Sequence, residues 1–263
     1  MIIHRFSKGL KGLVLGLLLG GLLSPIQSTA QVTARDTNAV IPMLRFSYAY
    51  QIPGGDLEER FNDHSAITFD FTTKFGNRLL LGVGADFQFG GGVNEVNLLD
   101  SISTSEGQII DGTGRFADIR IFQRGFRVYG NVGYLLGGPG PNPNSGFYAM
   151  GRVGFWQHQI RIENPGDLAP QLNATYAQYY DRLTNGLFFS ESLGYQYLAN
   201  NGYFNAFAAV EFTQGLTSGR REWQMDLRAP YDESRLDMTL GFRIGFALAL
   251  YPKVNRNAKY YYY

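Results

Sequence analysis

Residues 235–251 read RLDMTLGFRIGFALALY. Leu236, Met238, Leu240, Phe242, Ile244, Phe246, Leu248 and Leu250 take every even position, and Arg235, Asp237, Thr239, Gly241, Arg243, Gly245, Ala247 and Ala249 take the odd ones. A β-strand sends successive side chains to opposite faces, so one face is unbroken hydrocarbon and the other is charged, hydroxylated or small. The run is far longer than the usual soluble strand of about 5–6 residues. It has the length a tilted strand needs to cross a bilayer, about 9–11 residues or more.

Seven earlier segments repeat the pattern. Ile41–Ile52 sets Leu44, Phe46, Tyr48 and Tyr50 against Arg45, Ser47, Ala49 and Gln51. Ala66–Phe75 alternates Ile67, Phe69 and Phe71 with Thr68, Asp70, Thr72 and Lys74, and Arg78–Phe89 alternates Leu81, Val83, Ala85 and Phe87 with Gly82, Gly84, Asp86 and Gln88. Ile119–Leu136, Phe147–Ile162, Leu187–Leu198 and Tyr203–Leu216 follow, with Arg127, Arg152 and Glu211 on their polar sides. The connections are independent of this alternation. Gly76-Asn77, the Pro/Gly/Asn stretch 137–146 and Asn200 to Gly202 are short or moderate, whereas 54–65, 90–118, 163–186 and 217–234 are long and polar. Outer-membrane barrels have short periplasmic turns and long external loops. The expected fold is therefore all-β: an eight-stranded antiparallel transmembrane β-barrel, both termini periplasmic, over 31–251. A soluble barrel would bury the apolar faces and turn the charged ones to water. An apolar face on every strand, behind an export signal, favours the membrane version.

The export signal is the N-terminus. Arg5, Lys8 and Lys11 precede an apolar core from Leu13 to Leu23, then Pro25 and the small residues Ser28-Thr29-Ala30, so cleavage is expected after Ala30. The chain carries net +1, and removing those three cations with no acid leaves −2. That balance gives no reason to expect nucleic acid as a partner. With no cysteine there are neither disulfides nor thiolate metal sites. The mean hydropathy of −0.16 is compatible with a barrel, because half of each strand faces a polar interior. Aromatics at 15% and 33 glycines suit aromatic girdles and close backbone packing.

The narrow interior of eight strands is fillable by side chains. Here it is expected to hold Arg45, Lys74, Arg127, Arg152 and Arg243 with Asp70, Asp86, Glu211 and Asp237. Opposite charges in such a space attract strongly. A salt-bridged plug is the leading expectation and a narrow polar conduit the alternative; which residues meet is not set by sequence. An enzyme is not expected. Only His64 and His158 follow the leader, no Ser has a nucleophile-elbow context, and His158 reads as a hydrogen-bonding residue at the barrel rim. Asp56, Glu58, Glu59 and Asp63 lack EF-hand spacing and read as a solvated acidic loop. DGTG at 111–114 lacks the Lys and the context of a phosphate loop. No cofactor or metal is expected.

Two features stand outside this scheme. Glu191 falls in the lipid-facing register between Phe189 and Leu193. Either a bulge rotates it inward, or it marks a protein contact or an interfacial depth. The segment 252–263 is expected to be a periplasmic tail, ending in Tyr260, Tyr261, Tyr262 and Tyr263, that is disordered, docks a partner or folds back into the barrel.

By strand number, alternation, loop asymmetry and leader, the chain resembles the small outer-membrane barrels of the OmpA and OmpX transmembrane type. No peptidoglycan-binding domain follows the eighth strand. The richness in Phe, Tyr and Asn and the Tyr-rich end are also similar to an uncharacterised barrel family of Bacteroidota-type bacteria. The resemblance implies the outer membrane of a Gram-negative bacterium, with lipid and lipopolysaccharide as surroundings and the barrel-insertion machinery as a biogenesis partner. It implies no site residue. Three roles are open: a structural or adhesive barrel displaying loops 90–118 and 163–186, an accessory subunit of an outer-membrane assembly or secretion complex with an outer-membrane or periplasmic partner, and a small channel.

Overall fold

The computed structural model describes residues 37–95, 97–200 and 205–250; the leader, the Tyr-rich tail and Tyr251 lie outside the described residues. Eight long strands form a closed antiparallel barrel: β1 (Ile41–Gly55), β2 (His64–Lys74), β3 (Leu79–Gly90), β4 (Arg120–Gly137), β5 (Gly146–Glu163), β6 (Thr184–Leu198), β7 (Asn205–Gly219) and β10 (Ser234–Ala249). Each pairs with its neighbour in sequence, and β1 closes on β10 from Met43 opposite Ala249 to Gly55 opposite Asp237. The last long loop contains a separate two-stranded hairpin, β8 (Arg221–Gln224) and β9 (Ala229–Tyr231). The expected unpaired loop there is thus corrected: β7 runs three residues past Leu216, and the chain then turns back on itself.

The alternation is realised side chain by side chain. Leu240, Phe242, Ile244, Phe246 and Leu248 are exposed on the outer face, while Asp237, Thr239, Arg243 and Ala247 are buried inside. The same inversion holds on β1, with Phe46, Tyr48 and Tyr50 outside and Arg45, Ser47 and Gln51 inside. Large apolar residues on the outside and buried arginines on the inside are the reverse of a water-soluble protein. They are what a hydrocarbon solvent selects.

Glycines let so narrow an interior accept bulky groups. A Cβ at Gly215 would stand 2.6 Å from the Trp156 ring, and one at Gly84 would collide with Asp70 and Tyr129. Aromatic side chains therefore cross the lumen opposite bare backbone. At the periplasmic end Ile41, Met43, Leu80, Leu135, Tyr148, Met150 and Phe207 pack into an apolar cluster.

Replacing Leu240 by Arg is expected to lower stability in lipid by about 2–4 kcal/mol, while replacing it by Val costs much less. Urea unfolding in vesicles, followed by the heat-modifiable shift in electrophoretic migration, measures both.

Candidate functional site

Above the periplasmic apolar cluster the interior becomes ionic. Glu211 of β7 lies at the centre. Its Oε2 accepts from Arg243 Nη2 at 3.0 Å, its Oε1 is 3.4 Å from Arg127 Nη2, and it is also paired with Arg152. Arg127 Nε donates to Asp86 at 2.7 Å and Arg127 Nη1 to Thr213 at 3.2 Å. Arg243 adds Ser47 at 3.0 Å and Thr68. These groups come from seven of the eight barrel strands, so the cluster ties the wall across the lumen. Aromatic faces complete it: the Arg127 guanidinium lies 5.7 Å from the Trp156 ring and 5.4 Å from Phe188, within the range of cation–π attraction.

The nine charges expected in the lumen are all buried, but they do not form one network. Arg127, Arg152, Arg243, Asp86 and Glu211 meet. Asp70 is the register neighbour of Arg45 on the next strand and accepts from Tyr129 at 2.8 Å. Arg45 turns toward the apolar end, stacking 3.8 Å from the Phe207 ring centroid and donating to Tyr148 at 3.1 Å. Lys74 binds the backbone carbonyls of Thr37 and Ala39 at the periplasmic end. Asp237 stands at the opposite end with Thr217 and His158. His158 stands at the external end of the β5–β6 ladder, opposite Thr184, and is hydrogen-bonded there, 2.8 Å from Asp237, as a rim residue should be. It is also fully buried, because the external loops fold over it.

Those loops form a cap with its own apolar core. Leu57 and Phe61 of the first loop, Leu98 and Ile109 of the second, and Ala169, Leu172 and Tyr180 of the third pack with Trp156 and Ile160. An ionic chain crosses all four loops. Arg60 Nε is 3.4 Å from Glu95, Glu95 is 3.4 Å from Arg182, and Arg182 Nη1 donates to Asp226 at 2.9 Å. Arg60 also donates to Tyr231 and to Thr184. Burial works against the Arg182 cation; Asp226 and Glu95 outweigh it and hold its pKa above the ordinary value. The hairpin is fixed to the third loop by Met225 N–H donating to the Tyr179 carbonyl at 3.1 Å. Sequence reasoning missed this chain, because one charged residue per loop carries no periodicity.

Three of the four acidic side chains of the first loop have protein partners: Asp56 accepts from the Leu236 N–H at 2.6 Å, Glu59 lies 3.4 Å from Arg235, and Asp63 accepts from Tyr50. Among the described residues, no group of three or more His, Asp or Glu is placed to hold a metal. The DGTG segment is a tight turn. Asp111 Oδ1 accepts from Thr113 N, Thr113 Oγ1 and Arg115 N at 2.7, 2.7 and 2.9 Å. Glu191 stays outward: β6 pairs with β5 and β7 with no register shift, which overturns the bulge.

The loops of the cap also expose several large apolar side chains among polar ones. Phe116, Leu168, Tyr176, Trp223, Met225 and Leu227 are exposed, and Ser101, Ile102, Pro170, Gln171, Tyr176, Tyr179, Tyr180 and Met225 line a pocket of about 650 Å³.

No protein-family model matches the sequence. No curated protein matches it either. Among solved structures the chain is similar to Neisserial surface protein A, at 8% identity over 79% of this chain and 96% of that one, with a TM-score of 0.41. It is similar to Ail, the attachment invasion locus protein of Yersinia pestis, at 9% identity over 79% and 98%, TM-score 0.42. The outer membrane protein OprG from Pseudomonas aeruginosa gives 13% identity over 84% and 100%, TM-score 0.40. The closed eight-strand wall, its apolar belt and its ionic interior define the class: an integral outer-membrane β-barrel protein.

Removing the central anion leaves three guanidinium groups uncompensated. Glu211→Leu is expected to destabilise the barrel by about 3–5 kcal/mol, read by urea unfolding in vesicles, and Glu211→Gln by less. A milder test concerns Asp111, whose carboxyl is held below the ordinary carboxylate range by the Arg115 backbone N–H and the Thr113 hydroxyl. A depressed folded-state value stabilises the turn above a pH of about 4, and that contribution is lost as pH falls through the depressed value. An NMR titration should find the Asp111 midpoint below that of a free aspartate and raised by Thr113→Ala.

Proposed function

We propose that the protein is a surface-display barrel: a rigid, non-conducting cylinder whose four external loops form a preordered platform that binds a partner outside the cell. The observation that carries this reading is the ionic chain Arg60–Glu95–Arg182–Asp226, which joins all four loops. Loops ordered before binding lose less entropy on binding. On the same loops Phe116, Tyr176, Trp223, Met225 and Leu227 are exposed, and Tyr176 and Met225 share a pocket. Exposed aromatic and Met side chains are the residue types that dominate binding surfaces.

The channel reading is disfavoured by two obstructions in series, the Glu211 cluster and the apolar cluster of Met43, Tyr148, Met150 and Phe207 below it. A catalytic role is disfavoured because His158 is sealed under the cap against Asp237. Lipid and lipopolysaccharide around the belt, and the insertion machinery during biogenesis, belong to the same reading.

Cells displaying the protein should adhere to protein-coated surfaces several-fold more than cells displaying the triple variant Trp223→Ser, Met225→Ser, Leu227→Ser. Equal adhesion at equal surface levels overturns the platform. Single-channel recording in planar bilayers should show no steady conductance; a stable open level overturns the closed cylinder.

A further inference from the structure

Glu191 occupies the middle of the lipid-facing row of β6, between Phe189 and Leu193, and its side chain is exposed. Both ladders hold it there, opposite Gly151 on β5 and Phe212 on β7. Among the described residues it has no hydrogen-bond or ion-pair partner. Tyr195 and Leu187 lie four residues to either side. At about 3.3 Å per residue and a tilt of 35–45°, that is roughly 10 Å of depth each way. The carboxylate therefore stands near the centre of a belt about 25 Å tall. Two methylenes cannot carry it to either headgroup layer.

The surroundings of Glu191 are unusual in a second way. Gln214 of β7 faces outward diagonally beside it, across from Phe189. On the other side are two glycines, Gly151 on β5 and Gly130 on β4, the latter opposite Val153 of β5. A Cβ built on either would find its nearest neighbour at 3.9 or 4.0 Å, so both backbones lie open. A patch across four strands, within two adjacent register rows, thus combines bare backbone, an unpaired carboxylate and an amide that both donates and accepts.

We propose that this patch binds a membrane-embedded protein segment that presents a basic side chain at mid-depth. Charge decides the occupant. A lipid headgroup cannot reach this level. A second copy, docked through the same patch about a two-fold axis, sets Glu191 against Glu191; the outward rows 147–157, 187–197 and 206–216 carry no Lys or Arg to answer it, and the outward row of β4 carries Arg120 and Arg124 only at its external end, away from mid-depth. A basic side chain from another protein pairs with the carboxylate, Gln214 takes its remaining hydrogen bond, and the glycines admit the approaching backbone.

The test uses the mature protein in phosphatidylcholine vesicles with synthetic Leu/Ala peptides about 22 residues long, enough to span the bilayer. The peptides carry one central Lys, Leu or Glu, and association is read by energy transfer. The Lys peptide should associate about tenfold more tightly than the Leu peptide, and the Glu peptide no better than Leu. Glu191→Leu should abolish the Lys preference while keeping heat-modifiable migration, since leucine suits the belt. Gly151→Leu fills the patch without touching the charge and should weaken association on its own. Equal binding of the three peptides by folded wild type, or a Lys preference that survives Glu191→Leu, overturns the proposal. A peptide-free dimer that Glu191→Leu abolishes also overturns it, in favour of a second copy.

Discussion

In hydrocarbon no water is present to satisfy an unpaired peptide group, so every strand must find a partner on both edges. The seam between β1 and β10, unbroken from Met43–Ala249 to Gly55–Asp237, meets that demand, and much else follows from it. A closed sheet has an inside and an outside, and strand geometry divides each strand's residues between them in strict alternation. A slip of one residue anywhere would put Arg127 or Arg243 in lipid and Phe126 or Phe242 in the lumen. The same rigidity fixes Glu191. It lies in the lipid because its neighbours on β6 have no freedom to lie elsewhere.

Closure also determines the chemistry of the interior. Eight strands enclose too little space for a water column beside large side chains, so the lumen is built as a packed core with polar content. Glu211 is held among three guanidinium groups. Its negative charge is what makes their burial tolerable, because an unpaired buried cation costs several kcal/mol. Trp156 illustrates the geometric side. Its indole N–H donates to Gln88 at 2.6 Å, and Gln88 in turn donates to Gln51 at 2.8 Å. The ring itself occupies the gap opposite Gly215. One side chain thus joins the ionic layer below to the apolar cap above.

The strands were legible because a lipid-facing strand repeats one rule for a dozen residues, as 235–250 does. Which residues point inward was legible for the same reason, and all nine lumen charges lie inside. Their partners were not legible. Sequence gives the face of a residue but neither its height in a tilted barrel nor its rotamer. So Lys74 meets backbone carbonyls and Arg45 an aromatic ring, where acids were equally available on paper. The cap was illegible altogether. Leu57, Phe61, Leu98, Ile109 and Leu172 are scattered through polar segments without period, and only the fold brings them over the lumen. The same scatter hid the burial of His158.

The cap separates two kinds of residue. Arg60, Glu95, Arg182 and Asp226 are directed inward, toward one another, and the apolar residues beneath them anchor the loops to Trp156 and Ile160. Phe116, Trp223 and Leu227 are directed away from this scaffold and remain exposed. Loop length itself adds little to the cost of such an arrangement, since closure entropy grows only logarithmically with the number of residues. What must be offset is the ordering of the loops, and the buried network and apolar core supply that. The exposed residues carry none of this load, so their identity is free to follow whatever the platform meets, while the barrel and the network beneath it stay unchanged.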